Sequence, residues 1–228
     1  MQKGLHIRHK QQLPIGSIVF WILLVAGLVV CGWYGYRFYM YGDQLPVPLP
    51  VSAANQRVEE AEVTEDLKQE HVVDAAKPRF ISIPSIDVRN SRILPVGVAQ
   101  NGELDTPQNI FDTGWYQESA LPGDETGALL MDGHNGGPTK DGVYKKLPDV
   151  RSGDTIVVER GDGMKFSYAV AEAKEMPLES LDASAMRKLT ESIDTSTQGL
   201  TLISCSGNWI PSKQTYSNRV VVRAVLES

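Results

Sequence analysis

LTLISCSGNWIPSKQTYSNRVVVRAVL, residues 200–226, is the stretch whose reading decides the fold. Two runs rich in β-branched residues, Leu200–Cys205 and Arg219–Leu226, flank a segment of Ser, Gly, Asn and Pro, the way two strands and their turn-rich connection are written. Along the second run Arg219 and Arg223 stand on one face and Val220 and Val222 on the other, because side chains alternate with period two. An arginine facing inward in a small β domain is costly to bury unpaired. These two therefore either face solvent or serve an anionic group in a site.

The same pattern extends back to Pro78. Runs near Arg79–Ile86, Leu94–Val98, Gly127–His134, Thr155–Glu159 and Lys165–Glu175 alternate with Gly, Pro, Asp and Asn punctuation, which predicts an antiparallel all-β domain over residues 78–228 with room for a barrel. Helix is expected only as a turn near Val143–Leu147 and over Ala183–Ile193, where Met186, Leu189 and Ile193 recur at helical spacing and read as core.

The N-terminal third is written differently. Ile15–Trp33 carries no charge and is long enough for a helix to cross a hydrocarbon core of roughly 30 Å. It is followed by Trp33, Tyr34, Tyr36, Phe38, Tyr39 and Tyr41 rather than by a small-residue cleavage site, so residues 15–41 read as a transmembrane helix with an aromatic interface. Lys3, Arg8 and Lys10 precede it and acidic residues dominate beyond it. By the positive-inside rule residues 1–14 are a cytoplasmic tail and the rest lies outside, anchored in the cell membrane by a single pass. Cys31 falls in lipid, where a neutral thiol is a small apolar side chain. Residues 42–77 hold Pro46, Pro48 and Pro50, then seven acidic residues against Arg57, Lys68 and Lys77, and read as a solvated stalk with a short helix around Val58–Glu70.

A net charge of −6 and a pI near 5.3 argue against a nucleic-acid partner. No HExxH, CxxC or GxxxxGK[ST] occurs, so the short signatures of zinc hydrolysis, thiol redox chemistry and nucleotide binding are missing and no cofactor or metal is implied. His6 and His9 lie before the membrane span and His71 lies in the stalk, which leaves His134 and Cys205 as the only imidazole and the only thiol of the β domain. One Cys and one His far apart in sequence fit a nucleophile and its acid or base. On counts alone, an inert packed thiol and a surface histidine are the more usual reading. Context favours chemistry: His134 ends GALLMDGH and Cys205 ends LTLISC, two apolar strands that run into glycines, where a side chain can project into a cleft from a rigid backbone.

At this point the chain resembles the sortase family. The resemblance is carried in order by RFISIPSIDV (79–88), GELDTPQN (102–109), Gly114–Tyr116, LPGDETGALLMDGH (121–134), VYKKLPDVRSGDTI (143–156), TLISC (201–205) and RVVVRA (219–224). The short N-terminal anchor, the GWY segment and the absence of a C-terminal span look most like sortase classes D, E or F, with F preferred. The resemblance implies a mostly β, closed sortase-like barrel with a few short helices, preceded by one transmembrane helix. It identifies Cys205 as the nucleophile at the end of a TLxTC-type motif in which Ser204 replaces the usual threonine, and His134 as general acid and base. Arg219, five residues before Ala224, matches the arginine that steadies the oxyanion or the substrate carbonyl; Arg223 shares its face but not that spacing.

The implied reaction is cleavage between Thr and Gly of an LPXTG-like sorting signal, through a Cys205 thioester, with transfer to an amine of cell wall or pilin. Partners are then proteins bearing such a signal and the amine acceptor. Asp132 before the histidine and Asn135 after it depart from the family pattern. The segment Pro177–Thr197, which would overlie the groove, matches no pattern that assigns specificity residues. Competing readings are a sortase-fold hydrolase or cysteine protease, in which water replaces the amine, and a noncatalytic extracytoplasmic binding module. An L,D-transpeptidase is disfavoured because its SxGC segment is absent.

Overall fold

The computed structural model describes residues 15–43, 45–46, 58–99 and 104–227. The expected tail 1–14 lies outside them, as do Pro48, Pro50 and Arg57 of the expected stalk. Helix α1, Ile15–Tyr41, buries none of its side chains. Its 27 residues reach about 40 Å at 1.5 Å each, so it is long and apolar enough to cross a membrane. The short helix expected around Val58–Glu70 is confined to α2, Glu65–Gln69, where Thr64 caps the start by accepting from the Leu67 N–H. The segment read as a stalk does not hang free over its described second half: the Glu59 N–H donates to Gln108 O at 2.8 Å and the Arg79 Nε to His71 O at 2.8 Å.

Eight strands follow: β1 Pro78–Ile83, β2 Val88–Val96, β3 Thr113–Tyr116, β4 Ala128–Gly133, β5 Thr155–Arg160, β6 Lys165–Pro177, β7 Gly199–Ile210 and β8 Thr215–Leu226, with helix α3, Ala183–Leu189, between β6 and β7. They close into a barrel in the order β1-β2-β3-β4-β7-β8-β6-β5. The expectation of a purely antiparallel domain needs correction, because β2 pairs with β3 and β4 with β7 in parallel. The connections allow it. Residues 97–112 join the first pair, and the stretch holding β5, β6 and α3 joins the second, both long enough for a crossover. β3 was not expected as a strand. β7 and β8 also run further than their β-branched centres, forming one long hairpin that sets Cys205 opposite Arg219.

Period-two alternation decides what each strand contributes. Leu129 and Met131 of β4, Leu200 and Leu202 of β7, and Val220 and Val222 of β8 point into the barrel, where they meet Ile81, Ile83, Ile156, Val158 and Tyr168. Burying one side chain of this size stabilises the fold by about 1.5–3 kcal/mol. The outer faces of the same strands supply Leu130, Ile203 and Val221 to a second, smaller cluster with Leu189, against which Leu181 and Met186 pack. β4 is thus covered on both sides, which is why ALLM reads as an unbroken apolar run. α3 begins at Asp182, whose Oδ1 accepts from the Ala185 N–H at 2.8 Å, and ends at Leu189. Ile193 lies beyond that end and is 40% exposed, so its reading as a core residue is corrected. The turn expected near Val143–Leu147 is present over residues 143–146, with the Leu147 N–H donating to Tyr144 O at 3.0 Å, and runs on into a 3-10 turn at Leu147–Asp149.

Candidate active site

The outer faces of β4, β7 and β8 form the floor of a cleft. Cys205 on β7 is the direct cross-strand partner of Arg219 on β8. On the other side of β7, Ile203 is paired with Asp132 of β4, and His134 follows two residues later, just past the strand end and on the same face. Cys205, His134 and Arg219 line one cavity of about 370 Å³, together with Asp132, Thr106 and Thr215. Its apolar side is made by Leu104, Leu178, Leu181, Met186 and Ile203. Polar groups convergent at one end of an apolar groove are the usual make-up of a binding cleft.

His134 is held at both ring and backbone. Its Nε2 lies 2.8 Å from the carbonyl oxygen of Pro107. A carbonyl can only accept, so Nε2 carries the proton and Nδ1 is the basic nitrogen of the neutral ring. The Tyr144 N–H donates to His134 O at 2.9 Å. Gly133 permits that approach, since a Cβ there would come within 2.6 Å of the Tyr144 ring. Burial pushes the His134 pKa below its usual value, and the bond to Pro107 offsets only part of that. Ser204, the replacement for threonine, donates its hydroxyl to Gly133 O at 2.7 Å. That buried bond ties the strand bearing Cys205 to the residue preceding His134.

The two arginines share a strand face and part company above it. The Arg219 guanidinium donates from Nη1 to Tyr216 O at 3.1 Å and to Asn218 O at 2.9 Å, and from Nη2 to Thr215 Oγ1 at 2.9 Å, so it is fixed at the cleft. Arg223 stands opposite Thr201 and donates from Nη2 to Glu191 O at 2.6 Å, holding the chain that leaves α3. Its Nε is buried without a hydrogen-bond partner among the described residues. Arg219 lines the cleft and Arg223 does not.

Two neighbours of the site escaped sequence reasoning as functional groups. Asp132 is only 7% exposed; it is hydrogen-bonded to the Thr106 side chain, and its Oδ1 has no hydrogen-bond partner among the described residues. Burial raises its pKa to about 7. Gly114 of the GWY segment makes room for it, because a side chain at that position would collide with Asp132 Oδ1. The available signal was a carboxylate at the end of a strand otherwise wholly apolar. Tyr216 is hydrogen-bonded to the Asn135 side chain, and its phenol pKa is raised by burial first and by electrostatic interaction with an ionised Cys205 second. No pattern marks a tyrosine in a polar hairpin as such. Among the described residues no cluster of His, Cys, Asp and Glu is arranged to hold a metal ion.

The family model described as "Sortase domain" matches residues 81–227. No curated protein matches the chain. Among solved structures, the chain is similar to a sortase C1 of pilus island 1 of Group B Streptococcus, at 22% identity and a TM-score of 0.49 over 74% of this chain and 73% of that one. It is similar to a sortase D5 transpeptidase of Clostridium perfringens, at 19% identity and 0.47 over 72% and 89%. It is also similar to a sortase C of Streptococcus pneumoniae, at 17% identity and 0.48 over 81% of each chain. The assignment rests on the family model, which spans most of the chain, and not on these distant likenesses.

Proposed function

This chain belongs to the sortase family, and from that premise we propose that it is a membrane-anchored cysteine transpeptidase acting on proteins that carry an LPXTG-like sorting signal. In this reading residues 1–14 are cytoplasmic, 15–41 span the cell membrane, 42–77 link the anchor to the domain, and 78–228 form an extracytoplasmic catalytic unit. The observation that supports it is the convergence of the domain's one thiol, its one imidazole and a fixed guanidinium on a single half-apolar cleft.

The thiolate of Cys205 attacks the threonyl carbonyl carbon, forming a C–S bond. As the tetrahedral intermediate collapses, the Thr–Gly C–N bond breaks and the departing amine takes a proton from the His134 imidazolium. An amine of cell wall or pilin then attacks the thioester carbonyl and gives its proton to His134 Nδ1, neutral again; the new C–N bond forms as the C–S bond breaks and Cys205 leaves as the thiolate. Arg219 donates to the oxyanion in both halves, a contribution worth about a hundredfold to a thousandfold in rate. Its three hydrogen bonds to Thr215, Tyr216 and Asn218 fix its direction before substrate arrives. Burial of His134 favours the neutral ring at pH 7, so the imidazolium that protonates the leaving amine is the minority form of this side chain.

The test is to incubate the full-length protein in detergent with a mixed library of LPXTG-like peptides and an amine acceptor, following products by mass spectrometry beside Cys205→Ala. Cleavage with amine adducts, lost in the variant, is the expected result. Cleavage without adducts moves the protein to the hydrolases. No cleavage, together with a Cys205 that resists alkylation, returns it to the binding modules.

A further inference from the structure

The segment between α1 and β1 packs against the loop that follows Pro107, the residue whose carbonyl holds the His134 ring. Glu59 forms a parallel bridge with Asn109, its carbonyl accepting from the Ile110 N–H at 3.0 Å and its own N–H donating to Gln108 O at 2.8 Å. Asn109 Nδ2 adds a bond to Ala61 O at 2.8 Å. Glu60, next along this extended piece, points elsewhere, as alternation requires. Its carboxylate accepts from the Thr139 N–H at 2.7 Å, the Thr139 hydroxyl at 2.5 Å and the Lys140 N–H at 3.1 Å. Lys140 returns the contact through Nζ to Glu60 O at 3.1 Å. Gly137 leaves the space, since a Cβ there would strike the Glu60 carboxylate.

The two loops joined in this way are the two that seat His134. One carries Pro107, whose carbonyl holds Nε2, directly before the residues bridged to Glu59. The other starts at Asn135, the residue after the histidine, and closes on itself through the Gly142 N–H to Asn135 O at 3.1 Å. Three donors converging on one carboxylate are the strong, charge-assisted kind of hydrogen bond, and they hold Glu60 below the usual carboxylate range, hence ionised at working pH. Without the carboxylate, the 137–140 loop loses three of its bonds to the linker; Lys140 Nζ to Glu60 O remains, and the Val143 N–H to Ile110 O bond at 2.8 Å still joins the loop's far end to the 107–110 side. Nothing in the lost contact is needed to close the barrel, whose sheet is continuous elsewhere.

We propose that Glu60 is a positioning residue for His134: its carboxylate clamps the loop after the histidine to the segment that carries Pro107, fixing the imidazole's direction and keeping water from its seat. This rests on the proton-transfer role given to His134 above. It makes the linker a working part of the active site, joined to one of these loops through the Glu59 backbone and to the other chiefly through the Glu60 carboxylate.

The test uses full-length protein in detergent with labelled histidine, in wild type, Glu60→Ala and Glu60→Gln, with His134→Gln assigning the resonance. The other ionisable groups lining the cleft, Asp132, Cys205, Lys213 and Arg219, are untouched by these substitutions, so a shift in the His134 titration reports a change in its seat. Burial lowers the wild-type pKa; in Glu60→Ala water enters and the pKa should rise measurably toward the ordinary imidazole value. Glu60→Gln keeps a side-chain acceptor and should stay near wild type. His71, held at Ile93 O by the same segment at 3.1 Å, is the internal control and should not move. With substrate, Glu60→Ala should lower kcat about tenfold or more with KM nearly unchanged, and Glu60→Gln should restore most of it.

An unmoved His134 titration in Glu60→Ala overturns the proposal, as does an equal shift of His71, which would mean general loosening, or a Glu60→Gln variant as impaired as Glu60→Ala. The titration needs no turnover, so it stands even if the transpeptidase reading fails.

Discussion

Leu202 and Cys205 lie three residues apart on β7 and face opposite ways. Leu202 is fully buried inside the barrel among Leu129, Met131 and Val222, while Cys205 is partly exposed at the cleft between His134 and Arg219. The same division runs through β4, where Met131 points in and Asp132 out, and through β8, where Val220 points in and Arg219 out. The period of the strand separates packing from chemistry, so the cleft inherits the rigidity of the barrel while its polar groups remain reachable. The two faces should therefore fail in different ways when changed.

The largest contrast is expected from Cys205→Ala. Turnover should fall roughly 10⁴-fold or more, with the thermal midpoint within about 3 °C of wild type, measured by peptide cleavage and calorimetry. A large drop in melting temperature would mean that the thiol belongs to the packing face. Leu202→Ala inverts the pattern: about 2–5 kcal/mol of stability is lost and the midpoint falls on the order of 10 °C, while kcat per folded molecule stays within a few-fold.

The arginines sharpen the comparison within one face. Arg219→Ala should cost about a hundredfold to a thousandfold in kcat/KM with little loss of stability. Arg223→Ala should leave turnover within a few-fold and lower the melting temperature, because it frees Glu191 O and the chain after α3. A reversed result for this pair would break the assignment of Arg219 to the reaction.

Asp132 should give the smallest and most pH-dependent effect. Its folded pKa of about 7 lies above its unfolded value near 3.9, so between those values the folded state binds more protons, and this carboxyl's stability contribution declines as pH rises through the window. Asp132→Asn removes that decline. The variant's melting temperature should gain on wild type by several degrees between pH 5 and pH 8, and a constant difference across that range would show that Asp132 is not buried as described.

Much of the barrel was legible because β-branched runs and period-two alternation are local properties. Arg79–Ile86, Thr155–Glu159, Lys165–Glu175 and the two arms of residues 200–226 all contain their strands' centres. β3 was missed because TGWY has only four residues and a glycine, too short to show alternation. The parallel pairings were missed because register between distant strands leaves no trace in either one. Ile193 was misread because helical spacing continued on paper past the point where α3 ends at Leu189. At the cleft, Cys205 and His134 stood out by rarity. Arg219 stood out by its spacing to Ala224 within the family resemblance. Asp132 and Ser204 showed in the sequence only as departures from the family motif, and Tyr216 and Glu60 not at all; their parts depend on which loop or strand folds against them, through the contacts of Thr106, Gly133, Asn135 and Thr139.

The central claim is that the outward face of β7 carries the nucleophile of an acyl transfer. Mixing full-length protein with an LPXTG-like peptide in the absence of added amine, quenching in acid and digesting for mass spectrometry should find the acyl fragment attached through a thioester to the peptide containing Cys205, and the label should disappear on addition of an amine. Peptide cleavage that proceeds while Cys205 remains unmodified at every time point, or that persists in Cys205→Ala, would contradict it.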